Sequence, residues 1–146
     1  MSEITKIRAR PPDPGDRVLL AEGDAGARRW LREAIGGRFG VDEVDRGDVA
    51  LELLTTGAPR LVVVGTQLAD MTGGDLLARA AARLGDRGAP ISTFLLADAV
   101  GAVADVDEAQ VKVYYRLVPT MQAARVVDLL AQAAARLPPR PPAAPA

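Results

Sequence analysis

The stretch Leu61-Val62-Val63-Val64 constrains this chain more than any other. Four apolar residues in a row leave no polar face, so the segment suits a strand buried on both sides. Gly57 and Pro59 before it and Gly65 after it mark its limits. A strand covered on both faces needs helices above and below it, which means a parallel sheet with crossover connections. The rest of the chain supplies that alternation. Arg17-Val18-Leu19-Leu20-Ala21 is a second apolar run, Phe39 to Val44 a weaker one, and Ile91 to Leu96 a fourth.

Helical patterns lie between these runs. Asp24 is placed to cap a helix that runs to Gly36, with Ala27, Trp30, Leu31, Ala34 and Ile35 on one face. Gly36 and Gly37 stop it. A short helix is expected over Asp48 to Thr55, with Val49, Ala50, Leu53 and Leu54 inward. Another runs from about Gly74 to Leu84 on Leu76, Leu77, Ala80, Ala81 and Leu84. Asp98 to Ala109 carries Val100, Val103 and Val106 at a loose helical spacing, which Gly101 and the β-branched residues weaken. Val111 to Leu117 alternates, with Val113, Tyr115 and Leu117 on one face and Lys112, Tyr114 and Arg116 on the other, as in an edge strand. The last helix starts at Pro119-Thr120 and ends before Pro138. Its inward residues are Val126, Val127, Leu130, Ala133, Ala134 and Leu137. Five strands alternating with five helices argue for an α/β domain over residues 17–137. Residues 1–16, with Pro11, Pro12 and Pro14, read as a disordered arm. Residues 138–146 hold five prolines in nine positions and read as an extended linker or tail, one that would lead to an output domain.

Composition excludes much of the usual chemistry. The 146 residues include no Cys and no His, so disulfides, thiolate nucleophiles, His-based triads and the usual zinc sites are out. No cofactor and no metal site is implied. Eighteen Lys+Arg against nineteen Asp+Glu leave a net charge of -1, which offers little attraction for nucleic acid or anionic lipid. No apolar run approaches the roughly 20 residues of a membrane span, and Met1 to Arg10 has no apolar signal core. The expected address is cytoplasmic, with no direct nucleic-acid binding and no membrane partner.

The segments at the strand ends resemble the receiver domain of bacterial response regulators, the CheY-like fold. Leu19-Leu20-Ala21-Glu22-Gly23-Asp24 is similar to the family's first strand and acidic pair. Pro59 to Gly65 resembles its third strand, Gln67 to Gly73 the loop that follows, and Tyr115-Arg116-Leu117-Val118-Pro119 the fifth strand with its Pro. The resemblance covers Arg17 to Leu137. It implies a flavodoxin-like three-layer sandwich, (βα)5, with a five-stranded parallel sheet in the order 2-1-3-4-5.

The departures from that pattern fall on the chemistry. Gly65 stands where the family has its phosphoacceptor Asp. Leu96 stands where it has a hydroxyl residue, and Val118 where it has a Lys. Gly23 takes the place of the second acid, with Asp24 next to it, and only Glu22 remains as an acid. An acyl phosphate forms on a carboxylate, which Gly65 lacks, and Mg²⁺ needs carboxylate oxygens in octahedral array. Leu96 and Val118 are expected to fill the vacated pocket with apolar contact. The implied protein is a pseudo-receiver, a module of two-component signalling that works without phosphorylation and without enzymatic activity. It would bind a protein partner or a second copy of itself through the fourth helix, fifth strand and fifth helix. The interface candidates are Val106, Lys112, Tyr115 and Arg116. The alternative is a ligand-gated receiver that takes a small metabolite or nucleotide into the vacated pocket. Gly65 and Gly73-Gly74 are the positions where a phosphate would be cradled.

Overall fold

The computed structural model describes residues 17–56, 59–84, 91–108 and 111–137. The arm expected over residues 1–16 and the linker over residues 138–146 lie outside the described residues. The apolar run at Leu61 forms the middle of a sheet. The strands are β1 (Arg17–Ala21), β2 (Gly40–Val44), β3 (Leu61–Val64), β4 (Ser92–Leu96) and β5 (Val113–Leu117), in the order β2-β1-β3-β4-β5. Every neighbouring pair is parallel. This is the flavodoxin-like order, with β3 fully buried at its centre. Its register sets Ala21 beside Val64 and Val64 beside Leu95, so the ends of β1, β3 and β4 are level.

Alternation along the strands builds a core on each face. Val18, Leu20, Val63 and Phe94 face α1 (Ala25–Ile35) and α4 (Ala123–Arg136), meeting Leu31, Ile35, Val126 and Leu130. Leu19, Val62, Val64 and Leu95 face α2 (Gly47–Thr55) and α3 (Gly73–Leu84), meeting Leu54, Leu76 and Leu77. The helices thus form the two outer layers of a three-layer sandwich. On the outer strand β2, Asp42 and Glu43 pair with Arg17 and Arg32 at 2.6 and 2.7 Å. Charges on an edge strand discourage pairing with another sheet.

Two expectations are corrected. The first concerns the face of α2. Val49 is 43% exposed, whereas Leu51 is buried with Ala50 and Leu54. The helix begins at Gly47, and its start is set from outside. Arg46 at the N-cap makes no side-chain cap bond. Instead the Asp70 carboxylate, from the loop after β3, accepts the Gly47 and Asp48 N–H groups at 2.6 and 3.0 Å.

The second correction concerns the helix expected over Asp98 to Ala109. Among the described residues between β4 and β5 there is no helix. Asp98 captures the chain in a turn instead. Its Oδ1 accepts the Val100 and Ala102 N–H groups at 3.0 and 2.9 Å, and its own N–H donates to the Ala102 carbonyl at 2.8 Å. Gly101 takes φ 85, which no right-handed helix allows. Asp and Gly here offer the backbone better local partners than a helix would. Beyond the turn, Ala104 is buried and the Asp105 carbonyl lies against Gly74 at the start of α3. The interface face expected from a fourth helix, fifth strand and fifth helix is therefore an irregular segment, β5 and α4.

Candidate functional site

β1 leads straight into the candidate site. Its last residue, Ala21, is followed by Glu22, which is only 8% exposed. The Glu22 N–H still donates to the Val44 carbonyl at 3.1 Å, while its own carbonyl accepts from the Arg28 guanidinium at 2.8 Å. One carboxylate oxygen, Oε2, accepts the Asp24 N–H at 2.9 Å. Burial pushes the Glu22 carboxyl above the usual range for a glutamic acid. The Asp24 N–H opposes that shift, and the Asp24 charge adds to it.

The Glu22 carboxylate occupies the space that a side chain at position 65 would need. A Cβ built on Gly65 would overlap Glu22 Oε1, with Cδ at 2.6 Å and Oε2 at 3.0 Å. The Gly65 N–H meanwhile donates to the Ala21 carbonyl at 2.9 Å, which locks the two strand ends together. The Glu22 carboxylate thus lies over Gly65 at the carboxyl end of β3.

The neighbouring loops are joined backbone to backbone. The Gly23 N–H donates to the Gln67 carbonyl at 3.0 Å, and a Cβ on Gly23 would stand 2.5 Å from that oxygen. Only glycine lets the chains approach so closely. Asp24 also borders a cleft at these strand ends and caps the helix that follows. Its Oδ2 accepts the Ala27 N–H at 2.7 Å and caps α1. Gly73 packs against the Gly65 carbonyl and Gly74 against that of Asp105, so both are close-packing positions rather than a phosphate cradle.

The remaining pocket residues fall elsewhere. Leu96 is fully buried in the core layer under α1 and α4, and does not fill the pocket. Ala97, the residue after it, is also buried, 3% exposed, but contributes to the lining of the cleft. A step of one residue along an extended chain reverses the face, so Leu96 joins the core layer while Ala97 borders the cleft. Val118 is half-buried and its neighbour Pro119 lines the cleft. Among the interface candidates, Val106 is half-buried against the core layer under α2 and α3. Lys112, Tyr115 and Arg116 are exposed, Tyr115 to 38%. The Arg125 guanidinium of α4 lies 5.8 Å above the Tyr115 ring.

The cleft itself, of 820 Å³, opens between the loops after β1, β3 and β4. Trp30, expected on the apolar stripe of α1, is half-buried there and also forms a wall of this cleft. Arg28 is not simply solvated, for it holds the Glu22 carbonyl and approaches Glu43 at 3.6 Å. Its place one turn after the Asp24 cap was the available signal. No group of three or more acids among the described residues is arranged to hold a metal ion. No described helix is long and apolar enough to cross a membrane.

No family model and no curated protein matches the sequence. Solved structures do match the fold. The signal receiver domain of a Luxo repressor-type protein from Vibrio parahaemolyticus superposes with TM-score 0.66 at 21% identity, covering 83% of this chain and 91% of its own. The signal receiver domain of an HD domain-containing protein from Pseudomonas fluorescens gives 0.66 at 19%, covering 86% and 91%. The CheY-like response regulator receiver domain protein from Methanospirillum hungatei gives 0.63 at 18%, covering 84% and 94%. At this identity the likeness establishes the fold: this chain has the architecture of response regulator receiver domains.

Proposed function

We propose that this chain is a pseudo-receiver, a two-component signalling module that acts by protein contact without being phosphorylated. The observation that carries this reading is the pair Gly65 and Glu22. The position of the phosphoacceptor has no carboxylate, and the Glu22 side chain is folded over it. Asp24 is committed to capping α1, so no acid pair is left to organise a cation. The module is not an enzyme, binds no nucleic acid itself and works in the cytoplasm. It docks a protein partner, or a second copy of itself, on the exposed surface of β5 and α4. Lys112, Tyr115 and Arg116 are its contact residues.

The test is intact-mass spectrometry after incubation with acetyl phosphate and Mg²⁺. No phosphorylated species is expected, and stoichiometric phosphorylation of an Asp or Glu would sink the reading. Titration with beryllofluoride and Mg²⁺, followed by amide NMR, should leave the Glu22, Gly65 and Tyr115 resonances unmoved. For the contact surface, sedimentation or pull-down with the Arg116→Glu variant should lose the complex while the fold is kept. A complex indifferent to that variant would place the interface elsewhere.

A further inference from the structure

We infer that the cleft above β1, β3 and β4 is a binding site for a small organic cation with an apolar body, such as a substituted ammonium compound. The inference rests on the reading that no phosphoryl group occupies this end of the sheet. The volume of 820 Å³ falls within the about 300–1,000 Å³ of small-molecule sites. Most of its wall is apolar, formed by Ala27 and Trp30 of α1, Leu68, Ala97 and Pro119. Its charged lining residues are all acids: Glu22, Asp24 and Asp98. Among the described residues, no Lys or Arg lines it. Arg28, the closest candidate in sequence, turns its guanidinium to the Glu22 carbonyl and to Glu43.

Charge complementarity then selects the occupant. Three carboxylates without a cation repel phosphate and nucleotide, which excludes the anionic ligands a glycine-rich site would suggest. An inorganic cation does not fit either, because the acids are not gathered as a ligand set. Asp24 and Asp98 already use oxygens for backbone turns, so they supply field rather than direct coordination. An indole face is the best aromatic partner for an organic cation. Trp30 lines an apolar wall beside the acids, so an ammonium group with a hydrocarbon body satisfies both halves of the cleft.

Trp30 is the sole tryptophan, so its emission reports this cleft alone. The experiment titrates the full chain with benzyltrimethylammonium and follows Trp30 fluorescence. Adenosine monophosphate and neutral benzyl alcohol run in parallel. A saturable change is expected with the cation only, and it should weaken as salt is added. The double variant Asp24→Asn/Asp98→Asn keeps an oxygen acceptor for both turns while removing both charges. Its half-saturation point should rise about ten-fold. No saturable response overturns the proposal, as does an equal response to either control or to the neutralised variant. A circular dichroism melt of the double variant checks that it folds. Single-site Asn variants with the same readout serve if it does not. Phosphorylation by acetyl phosphate would overturn the pseudo-receiver reading without altering these titrations, so the two failures are distinguishable.

Discussion

The two halves of the sheet's carboxyl edge differ in how their loops are held. Over β1 and β3, the chain is joined by backbone contacts. Gly23 bonds to Gln67, Gly65 bonds to Ala21, and Gly73 packs on the Gly65 carbonyl. Over β4 and β5, the connection has dropped its helix for a turn closed by Asp98, with Val100 88% exposed. The first half is held tightly because the Glu22 side chain and neighbouring backbone close over the space beside Gly65. The second half faces water, and there local turn chemistry around Asp98 sets the course of the chain. Backbone joined through glycines is held tightly, while irregular structure collects where packing demands least.

Exchanging one glycine in each half for alanine should expose this difference most strongly. Gly73→Ala forces a methyl group into the Gly65 backbone carbonyl, which cannot swing aside. A loss of about 1–3 kcal/mol or more is expected in denaturant melts, as for overpacked cores. Gly101→Ala meets no atom within 4 Å and suffers only from its φ of 85. That costs about 1–2 kcal/mol at most, and the turn can relax. If Gly101→Ala proved the more damaging, the irregular half would be the more tightly held, and the comparison would reverse.

If the chain is a pseudo-receiver, as proposed, an acid placed at position 65 should not make it phosphorylatable. Gly65→Asp places a second carboxylate against buried Glu22, and like charges there raise each other's pKa. The single variant should lose about 1–3 kcal/mol at neutral pH. It should not label with acetyl phosphate. Adding Glu22→Gln should recover part of the loss, with a coupling of about 0.5–3 kcal/mol in the double-mutant cycle. Full additivity would mean that Glu22 moves away freely and does not plug the site. The wild-type pH profile carries the same signature. Because burial raises the Glu22 carboxyl in the folded state, its contribution to stability is fully present below the unfolded value of 4.5. That contribution is lost as pH rises through the folded pKa. Glu22→Gln should flatten this part of the profile.

Much of the architecture was legible because strand burial is written in local runs. Leu61 to Val64 can only be central, and the ends of the other strands follow from the turn residues beside them. The cap on α1 was legible for the same reason, since Asp24 lies three residues before the N–H it accepts. What was hidden depended on contacts distant in sequence or on a single step of register. Asp70 reaches back to Gly47 across the sheet edge. Leu96 and Ala97 exchange roles on opposite sides of the chain. The folded-over Glu22 follows from the absence of a side chain on another strand, which no local pattern records.

The Asp70 contact gives a smaller effect that sharpens the ordered half. Its hydrogen bonds from the Gly47 and Asp48 N–H groups hold the carboxyl below the usual aspartate range, with Arg46 assisting. A depressed folded pKa contributes stability that is present above the unfolded value of 3.8 and lost as pH falls through the folded pKa. Asp70→Ala should therefore lower Tm at pH 7 and converge with the wild type in strong acid. Amide exchange at Gly47 and Asp48 should quicken in the variant. Unchanged exchange there would mean that α2 does not depend on this cap.

The adjacent tyrosines of β5 give the finest test, because they meet the two environments on one strand. Tyr114 is half-buried, with its ring 5.2 Å from that of Phe94 in the core. Tyr115 is 38% exposed and touches the Arg125 guanidinium from outside. Tyr114→Ala removes core packing and should cost about 3 kcal/mol, near the lower end for a buried aromatic. Tyr115→Ala removes one exposed cation–π contact and should cost about 0.5–1 kcal/mol. Urea melts of the two variants measure both values. A Tyr115 cost equal to that of Tyr114 would make this surface part of the core, with no free face for a partner. A small cost, joined to lost complex formation, would show that Tyr115 is held exposed for binding rather than for folding.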